Sequence, residues 1–152
     1  MRSMQAGIKN EVGGIYRAFL GKPMTRPLFS TRVAAGFPSP AEDYIEGRID
    51  LNRELIKHPL ATFYVRVIGD SMINAGIFPN SLIVVDRMEE ARDGAIVIAR
   101  VNDELCVKRL SLGDDGQIWL MPENEHYSPI EIKAEDEFEV WGKVLHCVIS
   151  FK

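Results

Sequence analysis

From residue 61 onward, the apolar positions gather in short runs and the period changes. "ATFYVRVIG", "SLIVVDR", "GAIVIARV", "ELCVKRLSL", "GQIWLMP", "IEI" and "FEVWGKVLHCVIS" are rich in Val, Ile, Tyr and Phe. Gly, Asn and Asp separate them, as in "NAGIFPN", "RDG", "VND" and "LGDDG". Seven such runs predict an all-β, mainly antiparallel domain with little helix. The period is different upstream. In residues 1–35, Ile8, Val12, Ile15, Tyr16 and Phe19 recur at helical spacing, and Gly21-Lys22-Pro23 would end a helix there. Gly7, Gly13 and Gly14 weaken it, each by about 1 kcal/mol against alanine. The segment reads as a mobile arm with marginal helix that docks elsewhere, or as a disordered tail. Between the two regions, "AEDYIEGRIDLNRELIKHP" reads as a loop followed by a short helix. Asp50 or Asn52 would cap that helix and His58-Pro59 would stop it.

Composition adds bounds. A chain of 152 residues with 46% apolar and 26% charged residues is long enough to bury one core and is not disordered throughout. No stretch is apolar for long enough to cross a bilayer, and charges and glycines interrupt every apolar run of "MRSMQAGIKNEVGGIYR", so no signal peptide is expected there. Cys106 and Cys147 lie far apart, without CxxC or metal spacing, and read as reduced thiols of a cytoplasmic protein. No metal or cofactor is expected.

Charge divides the chain. Residues 1–35 carry six basic side chains and a single acid, Glu11, for a net +5. The other 117 residues carry 12 basic and 21 acidic side chains, for a net −9. Arm and body should attract each other weakly and in a salt-dependent way. An acidic body lacks the clustered Lys and Arg that phosphate contacts need, so direct nucleic-acid binding is not expected.

Two places in the β region break the local rules. In "VIGDSMINAGI" a strand ends at Ile68, Gly69 permits a sharp turn, and Ser71 follows. A serine there can present its hydroxyl beside backbone N–H groups, as a nucleophile beside an oxyanion hole requires. The plainer reading is a turn serine bonding its own backbone. In "ELCVKRL", alternation puts Cys106, Lys108 and Leu110 on one strand face and Leu105, Val107 and Arg109 on the other. If the first face is the inner one, desolvation favours the neutral amine, and Lys108 becomes a candidate general base for Ser71. If Arg109 points inward, or the strand is an edge, Lys108 is simply solvated. A third oddity is "RVAAGFPSPAEDY", a small, extended segment lying between a basic and an acidic stretch. It is a linker or a substrate carried within the chain.

Taken together, these features resemble the LexA-type self-cleaving serine proteases, in particular their UmuD-like SOS mutagenesis branch. The resemblance runs from about Pro27 to the C-terminus. It rests on "PLFSTRVAAGFPSPAEDYIEGRIDLN", "HPLATFYVRVIGDSM", "VKRL" and "MPENEHYSPI". It implies a scissile Ala35-Gly36 bond, so that a flexible arm, residues 1–35, is removed from a β-rich protease and dimerisation domain, residues 36–152. Small side chains at both positions let the backbone enter a narrow cleft. Position by position, Ser71 matches the nucleophile, Lys108 the general base, and the backbone N–H groups of Asp70 and Ser71 the oxyanion hole. His58, His126 and His146 stand at no motif that would orient them, so a Ser-His-Asp triad is disfavoured.

The resemblance also implies partners. The family members are homodimers whose cleavage is stimulated by the RecA filament on single-stranded DNA. The trimmed dimer then joins a UmuC-type polymerase to form the translesion enzyme DNA polymerase V. Trimming would take this chain from −4 to −9. Two departures stand out: the arm is longer than in the best-known relatives, and Ser81 and Ala95 occupy positions where relatives often carry aspartate. Two other classes compete with an autoprotease. A LexA-like repressor needs an N-terminal helix-turn-helix domain, which 35 residues with paired glycines cannot hold. A non-catalytic interaction module would keep the fold without needing Ser71, Lys108 and Ala35-Gly36. A signal peptidase, which also uses Ser and Lys, is disfavoured because no membrane anchor is seen.

Overall fold

The structure, a computed structural model, describes residues 9–29 and 45–151. The Ala35-Gly36 pair lies outside the described residues. All seven expected strand runs are strands: β4 (Thr62–Val67), β5 (Leu82–Asp86), β6 (Ile96–Val101), β7 (Glu104–Leu112), β8 (Ile118–Met121), β9 (Ile130–Ile132) and β10 (Phe138–Val148). The short helix is α1 (Leu51–Leu55), capped by Asp50, whose side chain accepts from the Asn52 amide.

Three further strands correct the reading of the first fifty residues. Residues expected to be marginal helix form β1 (Val12–Arg17), and the stretch expected to be a loop before α1 contains β3 (Ile45–Asp50), which pairs with β2 (Thr25–Phe29). β1 lies antiparallel along β4, with Ile15 opposite Val65 and Tyr16 opposite Tyr64. Helical spacing lost here for a physical reason. Paired glycines penalise a helix, whereas the open edge of β4 supplies backbone partners at no cost in side-chain volume. Gly13 sits at a register shift, and a Cβ there would stand 2.7 Å from the Ile68 side chain.

The main sheet is eight-stranded and antiparallel, in the order β1-β4-β5-β10-β6-β7-β8-β9. β10 holds its centre, pairing with both β5 and β6, and it shifts register against each. Gly142 lies at one of these shifts, where a Cβ would stand 2.5 Å from Val85. The sheet curls, so that β7 comes back toward the entry of β1: the Glu11 amide donates to the Leu105 carbonyl at 2.8 Å. The resulting interior holds Val65, Met72, Ile83, Val85, Ile98 and Val107, all essentially inaccessible. A second cluster between β6, β7, β8 and β9 contains Val97, Cys106, Leu110 and Leu120. Among the described residues, no helix is long and apolar enough to cross a membrane.

Candidate active site

Ser71 follows β4 by way of Gly69 and Asp70. Met72, buried at 2%, anchors the turn in the core and receives hydrogen bonds on its carbonyl from the Ala75 and Ile77 amides. Gly76 completes the turn with φ +88°, a left-handed conformation that side chains other than glycine's rarely adopt. Ser71 itself is 2% exposed. The loop after β8 straps this turn from outside. The Ser71 carbonyl accepts from the Glu123 amide at 2.8 Å, and the Asp70 carbonyl accepts from Asn124 Nδ2 at 2.9 Å. A trans peptide carries its N–H opposite its C=O. Tethering the Asp70 carbonyl to Asn124 therefore orients the Ser71 amide away from that loop.

Lys108 reaches the same point from β7. Both faces of β7 are covered here: Val107 lies in the main core, and Lys108, 2% exposed, shares the opposite face with the buried Cys106 and Leu110. Lys108 Nζ stands 2.8 Å from Ser71 Oγ, which also donates to the Val107 carbonyl at 3.2 Å. The two residues singled out in the sequence are thus brought together in a buried hydrogen bond. Tyr127 closes the other side, its ring centroid 5.7 Å from Lys108 Nζ and its hydroxyl bonded to the Asp70 carboxylate. That hydrogen bond to Asp70, together with burial, pushes the Tyr127 hydroxyl up to about 12. A cleft of about 550 Å³ opens beside the pair and is lined by Asp70, Lys108, His126, Tyr127, Ser128 and Ile130, with Lys9 at its wall. His126 thus reaches the cleft wall, but the hydrogen-bonded partner of Ser71 Oγ is the lysine.

One residue of the site is unexpected. Glu11, immediately before β1, is 4% exposed and grips Lys108 Nζ with both oxygens, at 2.9 and 2.8 Å. Its Oε2 also accepts from the Val107 amide at 2.8 Å. The buried ion pair joining arm to body therefore has an acid from the basic arm and a base from the acidic body, the reverse of the net charges. The available signal was that Glu11 is the single acid among the first 35 residues. Asn124 and Tyr127 were likewise missed as individual residues, although "MPENEHYSPI" contains both.

Burial next to the site affects Cys106, whose thiol is pushed up to about 12, chiefly by desolvation. Both cysteines are free, Cys147 being half-buried. At pH 8 iodoacetamide should therefore leave Cys106 unmodified in the native chain and alkylate it only after denaturation, a difference of one adduct read by peptide mass.

A separate cluster lies at the end of β5. His58, Asp86 and Glu89 offer ligand atoms within 4.8 Å of one another. The buried Asp86 carboxylate already accepts from His58 Nδ1 at 2.6 Å and from the Met88 and Glu89 amides at 2.8 and 3.0 Å. That arrangement is a brace for the turn after β5.

Sequence comparison places this geometry in a family. Peptidase S24-like matches residues 27–145, which include Ser71 and Lys108. The chain belongs to the Peptidase S24-like family. Protein SamA of Salmonella typhimurium is 46% identical over 120 residues, covering 79% of this chain and 82% of SamA. Protein MucA of Escherichia coli is 39% identical over 125 residues, covering 82% and 84%. The LexA repressor of Xylella fastidiosa is 42% identical over 116 residues, 76% of this chain but 53% of the repressor. The chain is accordingly a UmuD-like member of the S24 peptidases, with the LexA/UmuD-type role of a self-cleaving, serine-protease-type hydrolase. The mainly antiparallel fold is that of this family.

Proposed function

We propose that the chain cuts its own Ala35-Gly36 bond with Ser71 as nucleophile and Lys108 as general base. The observation that carries this reading is the 2.8 Å contact between Lys108 Nζ and Ser71 Oγ, both side chains being almost fully buried. A neutral Lys108 takes the proton of the Ser71 hydroxyl as Oγ attacks the Ala35 carbonyl carbon. The oxyanion is held by the backbone N–H groups of Asp70 and Ser71. Collapse breaks the bond to Gly36, whose nitrogen receives the proton from Lys108. Water then releases Ala35 from the Ser71 ester, with Lys108 again as the base. Removing the arm would leave a body of net charge −9 and free the β4 edge that β1 covers. In the family's scheme the cut answers to the RecA filament on single-stranded DNA. The trimmed homodimer then joins a UmuC-type polymerase as the accessory subunit of translesion DNA polymerase V in SOS mutagenesis.

The test is the purified chain held from neutral to strongly alkaline pH and read by intact mass. Fragments 1–35 and 36–152 should appear faster as pH rises, because the base must shed its proton first. Adding activated RecA filament should produce the same fragments near neutrality. A chain that stays intact in both arms would leave a non-catalytic interaction module on an S24 fold.

A further inference from the structure

An ammonium has three N–H donors and no lone pair. All three on Lys108 are taken: two by the Glu11 oxygens and one by Ser71 Oγ. The Ser71 hydroxyl correspondingly points to the Val107 carbonyl and not to the lysine. This hydrogen-bond set is the reverse of what a general base requires, since Lys108 must offer a lone pair to the Ser71 proton.

The backbone of Glu11 blocks the cleft as well. Its amide donates to the Leu105 carbonyl at 2.8 Å, and its carbonyl accepts from the Ile68 amide at 2.9 Å. Glu11 thereby uses one main-chain group from each wall, at the end of β4 and on β7. An extended segment entering between these walls would be recognised through such groups. Lys9, Asp70 and Tyr127 line both the 550 Å³ cleft and a second one of about 330 Å³, so the arm runs along a groove that continues on either side of it. Gly69 makes the approach possible, since a Cβ there would stand 2.8 Å from Glu11 Cγ.

We propose that Glu11 is an internal inhibitor: its carboxylate ties up Lys108 and its backbone fills the groove, so residues 9–11 must leave before Ser71 can act on an incoming chain segment. The inference rests on the proposed roles of Ser71 and Lys108. The other ionisable groups facing Lys108 do not substitute for Glu11. Lys9 and His126, which line the same cleft, are bases and carry no carboxylate, Cys106 and Tyr127 are both held neutral near neutrality, and the Asp70 carboxylate is engaged by the Tyr127 hydroxyl.

The experiment compares full-length wild type, Glu11→Gln and Glu11→Ala for self-cleavage by intact mass across pH. Glutamine still offers an oxygen to the Val107 amide, so thermal melting should show a folded chain. Losing the charged clamp should raise the rate near neutrality by roughly 10- to 100-fold. Equal or slower cleavage in both variants would overturn the proposal; slower cleavage would make Glu11 a residue that positions the working base. The Ser71 reaction with a fluorophosphonate gives a reading independent of self-cleavage. If no chain cleaves at any pH, the proposed function falls, and faster labelling in the Glu11 variants still supports the plug while equal labelling sinks it. Hydrogen exchange in Ser71→Ala needs no change at Glu11. The Ile68 and Val107 amides should lose protection under conditions that cleave wild type, and retained protection there would refute the proposal.

Discussion

Ser71→Ala is expected to keep the chain intact at every pH, a loss of about 10⁴-fold or more in self-cleavage. The change should cost about 2–4 kcal/mol of stability, since it removes the hydroxyl's bond to the Val107 carbonyl and leaves one N–H of the buried Lys108 ammonium without an acceptor. Lys108→Met should be as inactive but behave differently as a folded protein. It leaves the Glu11 carboxylate buried without its counter-ion, a situation that costs about 3–5 kcal/mol when one partner of a buried pair is removed. Adding Glu11→Gln to Lys108→Met should restore much of that stability and none of the cleavage. Thermal melts and intact mass on the three variants separate the two effects. Fragment formation in Ser71→Ala at any pH would remove Ser71 from the chemistry.

Asp86→Ala is the second large effect, and it falls on stability alone. The Asp86 side chain is fully buried and serves His58 and two backbone amides. Truncation takes the acceptor from the two amides, while the His58 ring, 36% exposed, can turn to water, at a cost of about 2–3 kcal/mol and a melting point lower by roughly 6–10 °C. Burial alone would push the Asp86 carboxyl up, but the bond from His58 and those from the Met88 and Glu89 amides outweigh it, and the group lies below its ordinary value of 3.8. The sign follows from that direction. The folded state binds the Asp86 proton less readily than the unfolded chain does, so this stabilisation is complete above 3.8. It is lost as pH falls from there through the lower folded value. The gap in stability between wild type and Asp86→Ala should therefore narrow in strong acid, as read by denaturant melts. A constant gap across that window would mean that the carboxylate's charge contributes nothing.

The strands from Thr62 onward were legible because each carries its own signal. β-Branched runs such as "LIVVD" and "IVIARV" are short and almost continuously apolar, and turns such as Asn102-Asp103, both at positive φ, separate such runs. Strand alternation assigned Lys108 to the face of Cys106 and Leu110, and all three are buried. That much is local information. Alternation specifies which side chains share a face, whatever the strand later pairs with. The cap at Asp50 was legible for the same reason, since a side chain that bonds an amide two residues on needs no distant partner.

The arm was not legible, because its conformation depends on what it meets. Ile15, Tyr16 and Phe19 fit a helix by spacing, and only the open edge of β4 makes residues 12–17 a strand. The hairpin of β2 and β3 has the same origin: residues 25–29 and 45–50 become strands by pairing with each other across the chain. The placement of Glu11 lies furthest from local reach, with its partner 97 positions away. Sequence by itself determined the β domain, the glycine turn that carries Ser71 and the residues that share a strand face with Lys108, since these follow from strand runs and turn chemistry within a few residues. Only the tertiary structure decided that the arm enters the sheet and that its single acid lands on the lysine, because curling of the sheet brings β7 and the end of β4 to either side of one backbone.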